Sequence, residues 1–390
     1  NGFYSFKGES PDYKKLEKMN ELLFHRGPDG NGIELFENTG LAHTRLSIID
    51  LNVRGLQPMM DFKGKNWIVF NGEIYNYLEI RKELKNLGYT FKTKTDTEVI
   101  LNAYDYWGKK AFNKLNGMFA FSIYDSNTKK LLCVRDRFGI KPLYFFYNSD
   151  FFLFSSEIKP ILSFLKKNPP PNKEVLFNYL SHGRVNYSNS TFFDGILNLS
   201  PGHYIEISSS GCSKEKKWWN FRKTKRPDSV KLLEKIFTDS VRLRMRADVN
   251  VGACLSGGID STSIVNTALN FTKDSFGTYS AITDDDWAGG ENEYIYLANN
   301  KKKIVPNYVK PSGENLINNL KEIVKLQEEP FTTPAIYSQW EVMKLAKSRG
   351  CKVLLDGQGA DEILCGYHYF FSYYLYQLFS ERRFPKLIFE

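Results

Sequence analysis

Long apolar runs are missing from this chain. None approaches the roughly 20 residues of a membrane-spanning helix, so no membrane span is expected. The start lacks the basic-then-apolar pattern of a secretory signal. Cysteine is scarce, and Cys133, Cys212, Cys254, Cys351 and Cys365 form no paired framework. Cys133 and Cys254 fall inside apparent strands and Cys351 opens another. That usage suits a reducing cytosol and predicts a cytoplasmic protein. The histidines (His25, His43, His182, His203, His368) show no zinc spacing with cysteine, and read as structural or hydrogen-bonding residues. Basic clusters with interleaved aromatics are also absent. The formal net charge is +9, but the lysines are scattered, with short runs only at Lys166-Lys167 and Lys301-Lys302-Lys303. Solvated surface accounts for them, and no nucleic-acid partner is expected.

What remains is ordinary globular composition, 42% hydrophobic and 25% charged, at a length that suits two domains and a linker. Residues 1–160 alternate strand-like segments with three helix patterns. The strands are Leu41–Asp50, Asn66–Asn71, Phe119–Tyr124, Lys130–Arg135, Leu143–Tyr147 and Phe151–Ser155. The helices are Asp12–Phe24, Glu79–Leu87 with Gly88 as a stop, and Thr97–Trp107 with Asp96 as its cap. Strands with helices packed on them imply a layered α+β domain. Residues 161–227 are turn-rich, end in Trp218-Trp219 and the polar run Arg222–Pro227, and read as an extension and linker. From 228 to 390 helix and strand alternate, with strands at Val249–Leu255, Phe276–Ile282 and Cys351–Asp356. That alternation predicts a doubly wound parallel sheet. Its ligand crevice should lie at the carboxyl ends of the strands, where Ser256, Asp284 and Asp356 fall.

The most informative stretch is Ser256-Gly257-Gly258-Ile259-Asp260-Ser261, between an apolar strand and a helix pattern at Thr262–Leu269. Small residues at such a turn let successive backbone N–H groups converge, and the helix dipole adds a positive field. The turn suits a phosphate chain, and Asp260 can hold the accompanying Mg²⁺. No Gly-Lys-Ser/Thr is present, so this is not the Walker pattern. It resembles the pyrophosphate loop of ATP pyrophosphatases, which cleave ATP to AMP and pyrophosphate.

Further motifs run along both halves. They include His25-Arg26-Gly27-Pro28-Asp29-Gly30, Arg45-Leu46-Ser47-Ile48-Ile49-Asp50, Asn71-Gly72-Glu73-Ile74-Tyr75-Asn76 and Thr95-Asp96-Thr97-Glu98. Gly117–Phe121, Arg135–Tyr144, Ser155-Ser156-Glu157-Ile158-Lys159, Glu329-Pro330 and Asp356-Gly357-Gln358-Gly359-Ala360-Asp361-Glu362 follow in order. In this set and order the chain resembles the glutamine-dependent asparagine synthetases over nearly all of residues 1–375. The resemblance implies an α+β N-terminal-nucleophile domain of αββα layers, followed by an α/β doubly wound ATP-pyrophosphatase domain. Ammonia from glutamine would pass through a tunnel to an adenylated carboxylate, aspartate in the prototype. L-glutamine or ammonia, a carboxylate acceptor, ATP and Mg²⁺ are the implied ligands. A homodimer is one expectation for its assembly.

By this resemblance Asn71 and Gly72 supply oxyanion donors, Arg45 holds the glutamine carboxylate, and Glu73 and Asp96 hold its ammonium. These residue types suit those tasks on physical grounds. The alternative is a plain ion pair between Arg45 and Asp96. The family's nucleophile is an N-terminal cysteine whose own α-amine serves as base. Here Asn1 stands at that position, followed by Gly2 and Phe3, which fit. A carboxamide is no nucleophile, so no useful glutamine hydrolysis is expected. A naturally dead site, a replacement that traps glutamine and a misassigned residue are three origins. Retention of the rest of the pocket favours replacement.

In the second half Ser256, Gly257, Gly258 and Ser261 suit the phosphates. Asp260 and Asp361 match the family's magnesium ligands. Cys254, Ala281, Asp356 and Gly357 fall where the family contacts adenosine, or are simple strand-end residues. Gln358 replaces a prototype glutamate near the reacting carbonyl, and a glutamine cannot take a proton. That departure leaves the acceptor open, with surface-sugar carboxylates as one alternative. The chain also ends before the family's acceptor helices, so the C-terminal part of the synthetase domain is expected to be missing. A β-lactam-synthetase-like cyclase is a further alternative, against which the retained pocket argues. A non-catalytic glutamine or nucleotide sensor is another, against which the Asp260/Asp361 pair argues.

Overall fold

The computed structural model describes residues 1–221, 229–283 and 291–389, so the expected run Arg222–Pro227 and Asp284 lie outside the described residues. The chain divides into two compact units. The first comprises Asn1–Leu233, Arg246–Asp248 and Glu314–Ile336. The second comprises Glu234–Met245, Val249–Gly313 and Tyr337–Glu390.

Among its described residues the first unit holds two antiparallel sheets. One runs β10 (Leu197–Asn198), β8 (Tyr144–Tyr147), β9 (Phe151–Ser155), β1 (Gly2–Ser5), β3 (Thr39–Arg45), β2 (Gly30–Leu35). The other runs β12 (Gly211–Cys212), β11 (His203–Ser208), β7 (Lys130–Arg135), β6 (Gly117–Asp125), β5 (Asn66–Ile74), β4 (Met59–Met60), with β13 (Lys216–Lys217) pairing β11. Alternation gives each strand two faces. Inward residues of both sheets, among them Tyr4, Leu41, Val69, Cys133, Phe152 and Ile205, form one buried layer. The outer face of the first sheet packs Phe3 and Leu153 on Leu16, Met19, Ile158 and Ile161 of two helices. The outer face of the second packs Phe70, Phe119 and Phe121 on Ile80, Leu84, Val99 and Ile100 of two others. The layers are therefore helices, sheet, sheet, helices. Residues 161–221, expected as an extension and linker, contribute β10 to the first sheet and β11–β13 to the second.

Two local expectations are corrected. The strand expected at Leu41–Asp50 leaves the sheet at Arg45, because the loop behind it turns back to bind that side chain. Asp96 does not cap the helix Asp96–Trp107. Thr95 does, accepting from the Glu98 N–H at 3.3 Å, while the Asp96 side chain points back to β5.

The second unit carries a parallel sheet ordered β16 (Ile304–Val309), β15 (Phe276–Ala281), β14 (Val251–Cys254), β17 (Val353–Leu355). Ala253, Leu255, Val265, Phe276, Ile304 and Leu355 form its core. With helices between its strands, this is the expected doubly wound arrangement. Among the described residues, no helix is long and apolar enough to cross a membrane.

Candidate functional site

β1 is central in its sheet, with β3 and β9 on either side, so the chain's first residue is drawn into the interior. Gly2 is required there: a Cβ would lie 2.5 Å from the Phe154 ring and 2.7 Å from the Gly40 carbonyl. Asn1 is buried. Its α-amine donates to the Ala42 carbonyl at 2.9 Å, and its Nδ2 donates to Asn20 Oδ1 at 3.1 Å. Burial pushes the amine pKa down to about 5, with Cys133 acting weakly the other way. An N-terminal amine that is neutral at pH 7 can accept a proton, which is what a base beside a nucleophile must do. Asn1 Oδ1 is buried with no hydrogen-bond partner.

The adjacent His43 is half-buried and neutral. Its Nε2 donates to the Phe70 carbonyl at 3.0 Å. Burial, the neighbouring amine and Arg45 lower its pKa, to about 3, against the Phe70 bond. Neither Asn20 nor His43 was singled out from sequence as a site residue. Asn20 comes from the helix Tyr13–Glu21 and His43 from β3, so both contacts are set by long-range packing that no local pattern reports.

β5 delivers the Asn71-Gly72-Glu73 motif. Asn71 Nδ2 donates to Ser156 Oγ at 3.4 Å. Gly72 has φ +147 and pairs with Phe119 across β6; a Cβ there would lie 2.1 Å from the Met118 carbonyl oxygen. Only glycine fits that conformation and that approach. The next residue, Glu73, leaves its Oε2 buried and unpartnered. Burial first, then the Asp96 charge, raise the Glu73 pKa, against the weaker pull of Lys141. Asp96 accepts the Ile74 N–H at 2.9 Å. Its pKa rises to about 6, because burial outweighs the backbone N–H bonds of Ile74 and Thr97. Two buried carboxylates thus lie close together and resist ionising at once, a site suited to a cation.

Arg45, at the end of β3, is buried. Three of its five N–H donors go to loop carbonyls: Nη1 to Asn52 at 2.7 Å, Nη2 to Ile49 at 3.2 Å and to Asp50 at 2.5 Å. Gly55 leaves room for the guanidinium, since a Cβ there would lie 2.3 Å from Nη2. Among the described residues no ion pair joins Arg45 to Asp96, so the plain-ion-pair alternative does not hold. Its Nε–H and one Nη1–H make no hydrogen bond among the described residues.

The turn Ser155–Lys159 closes this side. Glu157 Oε1 accepts from His25 Nε2 at 2.9 Å and from Arg26 Nη1 at 3.0 Å, and Lys159 Nζ lies 3.1 Å from Oε2. Burial opposes ionisation of Glu157, but the His25 bond and the Arg26 and Lys159 charges hold its pKa down, at about 2. Glu328 grips the same turn from outside. It accepts the Ile158 N–H at 2.7 Å and the Lys159 N–H at 2.6 Å.

In the second unit the Ser256–Ser261 turn joins β14 to the helix Ile259–Ala268. No side chain caps that helix. Its first-turn N–H groups are therefore available to an anion. Ser256 Oγ and Ser261 Oγ lie 3.0 Å apart, and Ser261 Oγ donates to the Gly258 carbonyl at 3.2 Å. Gly257 has φ +81, and a Cβ there would lie 3.0 Å from the backbone of the helix Glu291–Asn299. Asp260 stands in the first turn. The turn after β17 comes alongside, since a Cβ on Gly357 would lie 3.2 Å from Ser261 N and 3.4 Å from Asp260 Cβ. Asp356 Oδ2 accepts from Gln339 Nε2 at 2.8 Å, and its Oδ1 accepts the Gln358 N–H at 3.3 Å. Burial and Asp356 push the Cys254 thiol up to about 12. Ala281 ends β15 beside β14. Asp361 lies on the short helix Ala360–Leu364, against Gly366. Among the described residues, no group of three His, Cys, Asp or Glu side chains could hold a metal. Mg²⁺ needs no such cage: one or two carboxylates suffice when phosphates and water complete the octahedron, and Asp260 and Asp361 fit that pattern.

Comparison with known proteins bears on both halves. Residues 1–219 match the family described as glutamine amidotransferase domain. Residues 232–387 match the family described as asparagine synthase. Asparagine synthetase (glutamine-hydrolyzing) 1 of Bacillus subtilis (strain 168) is 38% identical over 363 residues, covering 90% of this chain and 56% of that protein. Putative asparagine synthetase (glutamine-hydrolyzing) 2 of Methanocaldococcus jannaschii is 33% identical over 404 residues, covering 94% of this chain and 75% of that protein. Asparagine synthetase (glutamine-hydrolyzing) 2 of Bacillus subtilis (strain 168) is 33% identical over 375 residues, covering 90% and 49%. The chain thus spans from about half to three quarters of the length of these relatives.

Proposed function

Since this chain belongs to the glutamine-dependent asparagine synthetase family, with a glutamine amidotransferase domain ahead of an asparagine synthase domain, we propose that it serves an ATP-dependent amide ligase. ATP is cleaved to AMP and pyrophosphate as an acceptor carboxylate is adenylated. Nitrogen from glutamine or ammonia then displaces AMP. The observation that carries this reading is a pair of features in one chain. Asn1 is buried next to β1 in the same unit as the Asn71-Gly72-Glu73 segment, and an uncapped helix start carries Ser256-Gly257-Gly258.

In the first unit Arg45 takes the glutamine α-carboxylate with its two remaining donors. Glu73 and Asp96 take the α-ammonium, which neutralises two carboxylates that otherwise oppose each other. Asn71 Nδ2 and the Gly72 N–H receive the amide oxygen as it gains charge. In the second unit the first-turn N–H groups after Gly258, with Ser256 and Ser261, hold the pyrophosphate. Cys254, Ala281, Asp356 and Gly357 line the adenosine side. Asp260 and Asp361 would hold Mg²⁺, which neutralises phosphate charge when bound.

The acceptor is aspartate or a related carboxylate. Gln358 is exposed in its turn and has no basic group to offer, which favours acceptors other than the prototype's, sugar carboxylates among them.

The test uses the full-length protein with ATP, Mg²⁺, ammonia and a panel of carboxylates. AMP and pyrophosphate are expected with one acceptor, and Asp260→Asn should abolish both. ADP and phosphate as products would overturn the assignment. With L-glutamine in place of ammonia the chain should bind but release no glutamate. Asn1→Cys with a free N-terminus should restore glutamate release, because thiol, base and oxyanion donors are then together.

A further inference from the structure

Arg246–Asp248 falls in the stretch matched as asparagine synthase, yet these three residues belong to the first unit. Asp248 clamps the loop that follows β3 with two bonds. Its N–H donates to the Ile48 carbonyl at 2.9 Å, and its Oδ2 accepts the Asp50 N–H at 2.8 Å. This is the loop whose Ile49, Asp50 and Asn52 carbonyls hold the Arg45 guanidinium.

The clamped residue is under strain. Asp50 has φ +55, a left-handed conformation that a non-glycine residue holds only when its surroundings impose it. Its own carboxylate adds to the constraint, accepting the Lys94 N–H at 2.7 Å and Asn52 Nδ2 at 3.0 Å. Lys94 leads directly into Thr95-Asp96. Asp50 is therefore a joint between the element holding Arg45 and the element carrying Asp96, and Asp248 fixes that joint. Beside it, Arg246 Nη1 donates to the Tyr75 carbonyl at 2.7 Å and Nη2 meets Glu79 at 2.6 Å, just past the Asn71–Asn76 motif.

We propose that Asp248 is a positioning residue for the ligand α-carboxylate, acting through the Ile48–Asn52 loop on Arg45. A segment remote in sequence from the glutamine motifs thus sets the orientation of their carboxylate clamp. The proposal rests on the reading of Arg45 as that clamp.

The test compares two ligands by calorimetry on the whole chain. L-glutamine carries the α-carboxylate; 4-aminobutanamide is the same molecule without it. Asp248→Ala should weaken L-glutamine about tenfold, the loss of one charge-assisted hydrogen bond, and leave 4-aminobutanamide within about twofold. It should add little to Arg45→Ala, because coupled residues are not additive. Asp248→Asn keeps an acceptor oxygen and should recover part of the loss. If both ligands weaken equally, or the two substitutions add in full, Asp248 is only a packing residue and the proposal falls. A failed reading of the pocket looks different: Arg45→Ala would then bind L-glutamine as well as the parent chain. In that event the Arg45 Nε–H resonance still decides. Asp248→Asn or Asp248→Ala should shift and broaden it, and an unchanged resonance overturns the proposal without any ligand.

Discussion

Glu73 and Asp96 are costly to the fold as long as no cation lies between them. Asp96 titrates near 6 in the folded chain, against an ordinary value near 4, and Glu73 is displaced in the same direction. A raised carboxylate pKa means the folded state binds protons more tightly than the unfolded state. Stability therefore falls as pH rises from about 4 to about 6, and the penalty is fully present above that window. A ligand ammonium reverses the preference, since it favours both ionised forms. L-glutamine should consequently bind more weakly at pH 5 than at pH 7, and release protons on binding near pH 6. Calorimetry in two buffers of different ionisation enthalpy measures that release. Proton uptake, or none, would mean that the ammonium does not sit between these carboxylates. Asp96→Asn should lose glutamine binding yet stabilise the free chain at pH 7, by on the order of 1–3 kcal/mol.

The turn Ser155–Lys159 is small, but it reaches both Asn71 through Ser156 and His25-Arg26 through Glu157. Glu328 holds it by two backbone N–H groups. Glu328→Ala should cost about 2–4 kcal/mol, since it removes charge-assisted bonds and leaves buried donors unpaired. Hydrogen exchange at the Ile158 and Lys159 amides should accelerate, and unchanged protection there would contradict the role. Contacts of this kind were not legible in the sequence, because they join residues 170 apart. The strands β7 and β9 were legible, being apolar runs with turn residues at their ends. β1 was not: Gly2–Ser5 is too short to show a period, and its extended form is imposed by neighbours on both sides. β16 was missed for another reason. Pro306 sits inside it, which argues against a strand unless the strand lies at a sheet edge, as this one does. Thr95 and Asp96 are both residue types that cap helices, and sequence could not say which of two neighbours would do so. The pocket motifs themselves were legible because each is a contiguous run of special residues; what holds Arg45 in place was not.

At the scale of the whole chain, each unit has its own core and, on the function proposed above, its own ligand. A ligand that binds only the native form stabilises by RT ln(1 + [L]/Kd), about 2.7 kcal/mol at a hundredfold excess over Kd. L-glutamine should therefore slow hydrogen exchange in β1, β3 and β5, and ATP with Mg²⁺ should slow it in β14 and the helix Ile259–Ala268. Protection of both units equally by either ligand would contradict separate sites. The position of β1 also has a bearing on synthesis. A ribosome delivers β1 well before one neighbour, β9 at residues 151–155, and before the brace on the Arg45 loop at residue 248. Domains tend to fold in the order they are made. Here β1 waits for later residues to complete its surroundings, so a nascent chain can be largely folded in its first unit before it can grip its ligand.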